Sequence, residues 1–140
     1  MTKVHLDQDA ADDLRLLRST DPKGSLGVLA FVQELVSSPN IAYRLLDKGT
    51  DFVWGKEGSF NVTPFSHLYR RGYDIWRIKF KVTPGIQSRY RILYAYDTYS
   101  QDFYILAIMA RDVNYEQDSA FVERLKQAYN RIGLKVVRLH

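Results

Sequence analysis

The 140-residue chain has no cysteine, only three histidines and four prolines, and no long apolar run. Without cysteine there are no disulfides and no thiolate metal sites. No stretch approaches the roughly 20 apolar residues that a membrane helix needs. The opening MTKVHLDQDA also lacks the apolar core of a signal peptide. A cytoplasmic location with no membrane partner is therefore expected. Also missing are a glycine-rich phosphate loop, a metal-ligand spacing and a nucleophile elbow. His5, His67 and His140 are scattered, and only His67 lies beside a basic stretch. Nothing here calls for a metal or a cofactor.

What the chain does have is a composition of 46% hydrophobic and 26% charged residues. At this length that fits a single domain over residues 1–140 with its own core. The net charge of +4 is unevenly spread. Residues 65–91 hold seven Lys or Arg (Arg70, Arg71, Arg77, Lys79, Lys81, Arg89, Arg91) against the single acid Asp74, a local +6. The rest of the chain carries 13 bases and 15 acids, a net −2. Positive charge gathered in one segment points to an anionic partner, with nucleic acid first in line. The plainer reading is a solvated strand face whose cations discourage edge pairing.

Hydrophobic spacing divides the chain into elements. Residues 2–6 fit a short strand. Asp7 stands at an N-cap position, and Leu6, Ala10, Leu14 and Leu17 recur at helical spacing, which predicts a helix over 8–19. After the turn TDPKGS a second helix spans about 24–37, with Leu26, Leu29, Val32, Leu35 and Val36 as its apolar stripe and Pro39 as its stop. Residues 40–75 read as loop with one or two irregular strands. Three strong strand signals follow: WRIKFKV (76–82), RYRILYAYD (89–97) and DFYILAIMA (102–110). The short turns TPGIQS and TYSQ make them an antiparallel meander. Asp118 caps a helix over 119–132 whose stripe is Phe121, Leu125, Ala128, Tyr129 and Ile132, and Gly133 leaves it. KVVRL (135–139) adds a closing edge strand. The expected class is α+β: an antiparallel curled sheet, a meander of three to five strands, with an N-terminal helical hairpin and a C-terminal helix packed on it.

In WRIKFKV the apolar Trp76, Ile78, Phe80 and Val82 alternate with Arg77, Lys79 and Lys81, so one face is buried and the other carries three cations. Arg89 and Arg91 open the next strand on alternate positions and would share a face. Arg111 closes the third strand, and Tyr115 follows in the loop DVNYE. A groove floored by these groups suits one chemistry, cleavage of RNA by its own 2′-OH. That reaction needs a proton removed from the hydroxyl, charge stabilised on the phosphorane and a proton given to the 5′-oxygen. Guanidinium groups hold phosphate oxygens in pairs. A Lys or Tyr whose pKa is pulled down by neighbouring cations can move protons, and Tyr115 can stack on an unpaired base. Tyr115 equally suits plain packing before a helix. On this reading Arg91, Arg111, Lys79 and Tyr115 are catalytic, while Arg77, Lys81, Arg89 and Arg71 bind substrate.

The ordered series KVHLDQDAADDLRLL, SSPN, WRIKF, YRILYAYD and FYILAIMARD resembles the RelE/ParE superfamily of bacterial toxins from type II toxin–antitoxin systems. The resemblance implies a metal-independent endoribonuclease cleaving mRNA on the ribosome, or else a non-nuclease toxin that binds DNA gyrase. It also implies a cognate antitoxin as protein partner. By position, Arg77, Lys79 and Lys81 match the basic residues of the RelE-like strand. Arg91 matches the arginine of the "YR" strand, Arg111 the basic residue closing the last core strand, and Tyr115 the tyrosine near the C-terminal helix. The chain differs in its longer segment 50–75 and in Ala110, where some relatives carry a histidine. A non-toxic nucleic-acid-binding module of the same fold is the remaining alternative.

Overall fold

The computed structural model describes residues 2–46, 51–54, 58–82 and 86–136. Its elements run β1 (Val4–Leu6), α1 (Gln8–Thr20), α2 (Pro22–Ser37), α3 (Pro39–Tyr43), a 3-10 turn (Arg44–Leu46), β2 (Asp51–Trp54), β3 (Gly58–Pro64), α4 (Ser66–Tyr69), β4 (Ile75–Val82), β5 (Ile86–Gln87), β6 (Tyr90–Asp97), β7 (Asp102–Ala110), a second 3-10 turn (Tyr115–Gln117) and α5 (Ser119–Ile132). This is an α+β protein. No described helix is long and apolar enough to cross a membrane.

Carboxylates start the three long helices by accepting otherwise orphaned amides. Asp7 accepts from Asp9, Asp21 from Gly24 and Asp118 from Phe121. Pro22 occupies the first turn of α2, where its missing N–H is no loss, so this helix begins at Pro22 rather than near 24. α5 ends at Gly133, whose φ of 89° is left-handed backbone that favours glycine.

The face of α2 that meets the sheet differs from the expected stripe. Ser25, Val28, Phe31, Val32 and Leu35 are buried, while Leu26, Leu29 and Val36 are exposed. Aromatic fit decides this. Phe31 stacks on Phe80 with ring centroids 4.7 Å apart and meets Phe60 edge-on at 5.5 Å. Gly27 permits the approach, since a Cβ there would lie 2.8 Å from a methyl of Val82.

The sheet runs β1-β7-β6-β4-β3-β2, with β5 paired to β4 off this row. β4, β6 and β7 form the antiparallel meander. The sheet is nevertheless broader than three to five strands, because segment 40–75 folds into more than loop. β2 and β3 make a hairpin that extends the sheet beyond β4, while α3 and α4 flank it in sequence. At the other edge β1 joins β7 in parallel, Val4 opposite Phe103. Residues 135–136 form no strand; the rest of the expected closing strand, with His140, and the turn residues 83–85 lie outside the described residues.

Two apolar clusters sandwich the sheet. Phe31, Val32, Leu35, Ile78, Phe80, Ile92 and Tyr94 belong to the cluster under the α1–α2 hairpin. Leu93, Ala95, Leu106, Ala107, Met109, Phe121 and Leu125 belong to the cluster under α5. β7 serves both, as its almost wholly apolar sequence led one to expect. Its alternation breaks once. Leu93 pairs with Ala107 but the next residue, Tyr94, pairs with Ile105, so Leu106 is an extra residue, a β-bulge. Beyond the bulge Ala107 and Met109 face α5, together with Leu106.

Candidate functional site

Strand alternation on β4 sends Trp76, Ile78, Phe80 and Val82 towards the helical hairpin and leaves Arg77, Lys79 and Lys81 on the opposite face. Arg91 stands on that same face of β6, since its neighbours Tyr90 and Ile92 pack under the hairpin. Backbone pairing sets Arg91 opposite Met109 and Arg77 opposite Leu93. α5 covers only part of this face. Beyond its N-terminus a hollow of about 320 Å³ remains, floored by Arg77, Lys79, Arg91 and Met109 and walled by Arg111 and the loop through Tyr115. The bulge in β7 is what turns Met109, and the strand end leading to Arg111, to this side.

Arg91 is the centre of the site. It is 7% exposed, and its Nη1 donates to the carbonyls of Ser88 (3.2 Å) and Tyr90 (3.3 Å). No described carboxylate forms an ion pair with it, nor with Arg77, Lys79 or Arg111. Burial, and then the charges of Arg111 and Arg77, pull its guanidinium below the ordinary arginine value. Arginine still stays protonated at any working pH, so the positive charge of Arg91 persists without a direct carboxylate partner. Arg77 is oriented by Thr63, the residue opposite it on β3, through Nε at 3.3 Å and Nη2 at 3.4 Å. Arg111 donates to Gln87 Oε1 at 3.3 Å. Both contacts are to neutral groups, which steer the cations without neutralising them.

Two acids that the sequence reading passed over also line the hollow, Asp112 and Glu116. Glu116 accepts from the backbone N–H of His67 at 2.6 Å, tying the loop to the start of α4. Their signal was present: both flank Tyr115 in RDVNYE, directly after the strand that ends in Arg111. Tyr115 begins the second 3-10 turn and lines the hollow while its ring lies 4.6 Å from that of Phe121. One side of that ring is thus packed.

The remaining expected site residues lie elsewhere. Lys81 lines a second hollow on the same face, which it shares with Lys79. Arg89 does not share Arg91's face: it sits in a bend before β6 begins at Tyr90, and lines a depression beside Asp21 and Gly24 on the hairpin side. The strand starts one residue later than the sequence suggested because Ser88 turns the chain there, its hydroxyl accepting from the amide of Tyr90. Arg71 is exposed in the turn after α4 and is not among the residues of the hollow. Neither is His67. Among the described residues no group of three or more His, Asp or Glu is placed to hold a metal ion.

Fold and site together define a class: an α+β protein that presents a guanidinium cluster, none of it ion-paired to a described carboxylate, in an open hollow on its sheet. No protein-family model matches the sequence, and no curated protein matches it.

Proposed function

We propose that this protein is an RNA-cleaving toxin of the RelE/ParE kind, acting on mRNA. The observation that carries the reading is Arg91, buried with no carboxylate partner between two further arginines in a hollow open to solvent. Folding alone does not favour such a group, because desolvating a cation without an opposite charge is costly. A phosphate seated against Arg91 would supply the missing anion, with Arg77 and Arg111 beside it.

The reaction follows from what surrounds that phosphate. A base takes the proton of the 2′-OH, the freed oxygen attacks phosphorus, and the P–O5′ bond breaks as the 5′-oxygen receives a proton. The products are a 2′,3′-cyclic phosphate and a 5′-hydroxyl. Arg91 and Arg111 stabilise the extra negative charge of the phosphorane. Glu116 and Asp112 are the carboxylates at hand to accept the first proton, and Lys79 and Tyr115 can deliver the second. The packed ring of Tyr115 offers its free side to a base.

A protein partner belongs to the same reading. What supports it is apolar surface on the outer side of the hairpin, where Leu16 is 67% and Leu26 66% exposed. There Leu6, Leu14, Leu26 and Leu29, rimmed by Arg15 and Arg18, line a depression of about 580 Å³. An antitoxin segment with apolar and acidic residues fits it.

The test is primer extension on cellular mRNA after induction in a bacterium, comparing wild type with an Arg91→Ala, Arg111→Ala double variant. New 5′ ends with wild type and none with the variant are expected. Intact transcripts with the wild-type protein would remove the nuclease reading, and growth arrest with gyrase inhibition instead would assign the ParE-like activity.

A further inference from the structure

Next to the guanidinium hollow lies the second one, of about 270 Å³, on the same sheet face. Lys79 lines both. Its other side chains are Lys81, Asn61, Ser59 and Gln87; Phe60 and Phe80 lend only backbone, since their rings are buried under the hairpin. The register explains the grouping. Asn61 is opposite Lys79 across β3–β4, and Gln87 is opposite Lys81 across β4–β5. Two lysines and two carboxamides are thus brought together from three strands, the two-residue β5 contributing Gln87. No described carboxylate pairs with Lys79 or Lys81, and no described group hydrogen-bonds the Asn61 carboxamide. Gln87 accepts from Arg111 through its Oε1, which leaves its NH2 group for another acceptor.

We propose that this second hollow is a nucleotide subsite, so that the protein engages at least two consecutive nucleotides of a single strand. The inference rests on the reading of the first hollow as a phosphate site. Lys79 bridges the phosphate held by Arg91 and the next one, Lys81 holds the far side of that next phosphate, and Asn61 and Gln87 hydrogen-bond the edge of the intervening base. Recognition here is by amide donors and acceptors, because among the described residues no aromatic side chain lines this hollow to stack a base. Carboxamides suit adenine, whose edge offers one donor and one acceptor side by side. Asn61 and Gln87 would accordingly set sequence preference, whereas Arg91 and Arg111 would not.

The experiment is a titration of wild type, Lys81→Ala and Asn61→Ala with adenosine 3′-phosphate and with uncleavable 2′-deoxy trinucleotides that differ in the second base. The trinucleotide is expected to bind wild type more tightly than the mononucleotide. Lys81→Ala should lose about tenfold of that advantage, the effect of one charge-assisted contact. Asn61→Ala should flatten the preference among second bases. If trinucleotide and mononucleotide bind wild type equally, or Lys81→Ala and Asn61→Ala change neither advantage nor preference, the second subsite is overturned while the first stands. Failure of wild type to bind either probe would overturn both readings together.

Discussion

Two sets of arginines in this molecule live by opposite rules. Where α1 meets α5, every arginine discussed has an acid. Arg124 grips Asp13 with both terminal nitrogens, at 2.9 and 2.6 Å, and Arg131 reaches Asp7 at 2.7 Å. Asp13 also accepts the backbone N–H of Ile108, so the pair ties both helices to β7. Burial would lower the Arg124 guanidinium, but the hydrogen bond and charge of Asp13, with Asp9 and Asp7, outweigh it and hold Arg124 above its ordinary value. In the hollow, burial lowers Arg91 and its nearest charges lower it further. Paired arginines of the first kind hold a fold together. An unpaired one of the second kind is costly to the fold, and a ligand explains it better than stability does.

The comparison can be broken by exchanging single arginines. The largest effect expected is on the proposed activity: Arg91→Met should reduce the RNA cleavage proposed above by at least about 100-fold, the scale for removing one donor to a developing oxyanion. Its stability, read from the urea midpoint, should move by no more than about 1 kcal/mol, since only two carbonyl contacts go. A large loss of stability with cleavage intact would make Arg91 structural and erase the distinction. Arg124→Met should behave in reverse. It strands Asp13, whose side chain is 18% exposed, and should cost about 2 kcal/mol, discounted for that partial exposure from the cost of breaking a buried pair. Cleavage per folded molecule should be unchanged.

A smaller effect sharpens the contrast on the hairpin side. Tyr90 donates its hydroxyl to Asp21 at 2.6 Å, joining β6 to the cap of α2. Tyr90→Phe should cost about 1 kcal/mol. Burial and Asp21 push the Tyr90 phenol up to about 12 from 10.0, so its contribution is full below pH 10 and is lost as pH rises towards 12. The Asp21 carboxyl is held below its usual range, first by Tyr90 and then by Gly24. Its contribution is therefore present above the ordinary carboxylate range and is lost as pH falls through the lowered value. Denaturation midpoints across pH should show both losses in wild type. In Tyr90→Phe the alkaline loss should shrink, since burial also raises Tyr94 and Tyr129, which keep their shares, and the acid loss should begin at higher pH.

Much of this was legible in the residues. Alternation in WRIKFKV placed Arg77, Lys79 and Lys81 on one face, and the apolar β7 was readable as buried on both sides. The α2 face was misread because counting leucines ignored Phe31, whose ring finds Phe80 and Phe60. Segment 58–64 reads as irregular because turn residues alternate with aromatics there; pairing with β4 makes it a regular strand. Arg89 parts from Arg91 because the strand begins only at Tyr90, and alternation holds only inside a strand.

By itself the sequence determined two of the helix starts, through Asp7 and Asp118, and the meander with its cationic face, because capping and alternation are local and act within a few residues. Only the tertiary structure decided that Arg91 would be buried without an acid, and that β3 and β5 would lay Asn61 and Gln87 beside Lys79 and Lys81. It also decided, through one extra residue in β7, that the strand end would bring Arg111 to the hollow. Those outcomes depend on which strands pair and in what register, and that is settled by the packing of distant residues rather than by near neighbours.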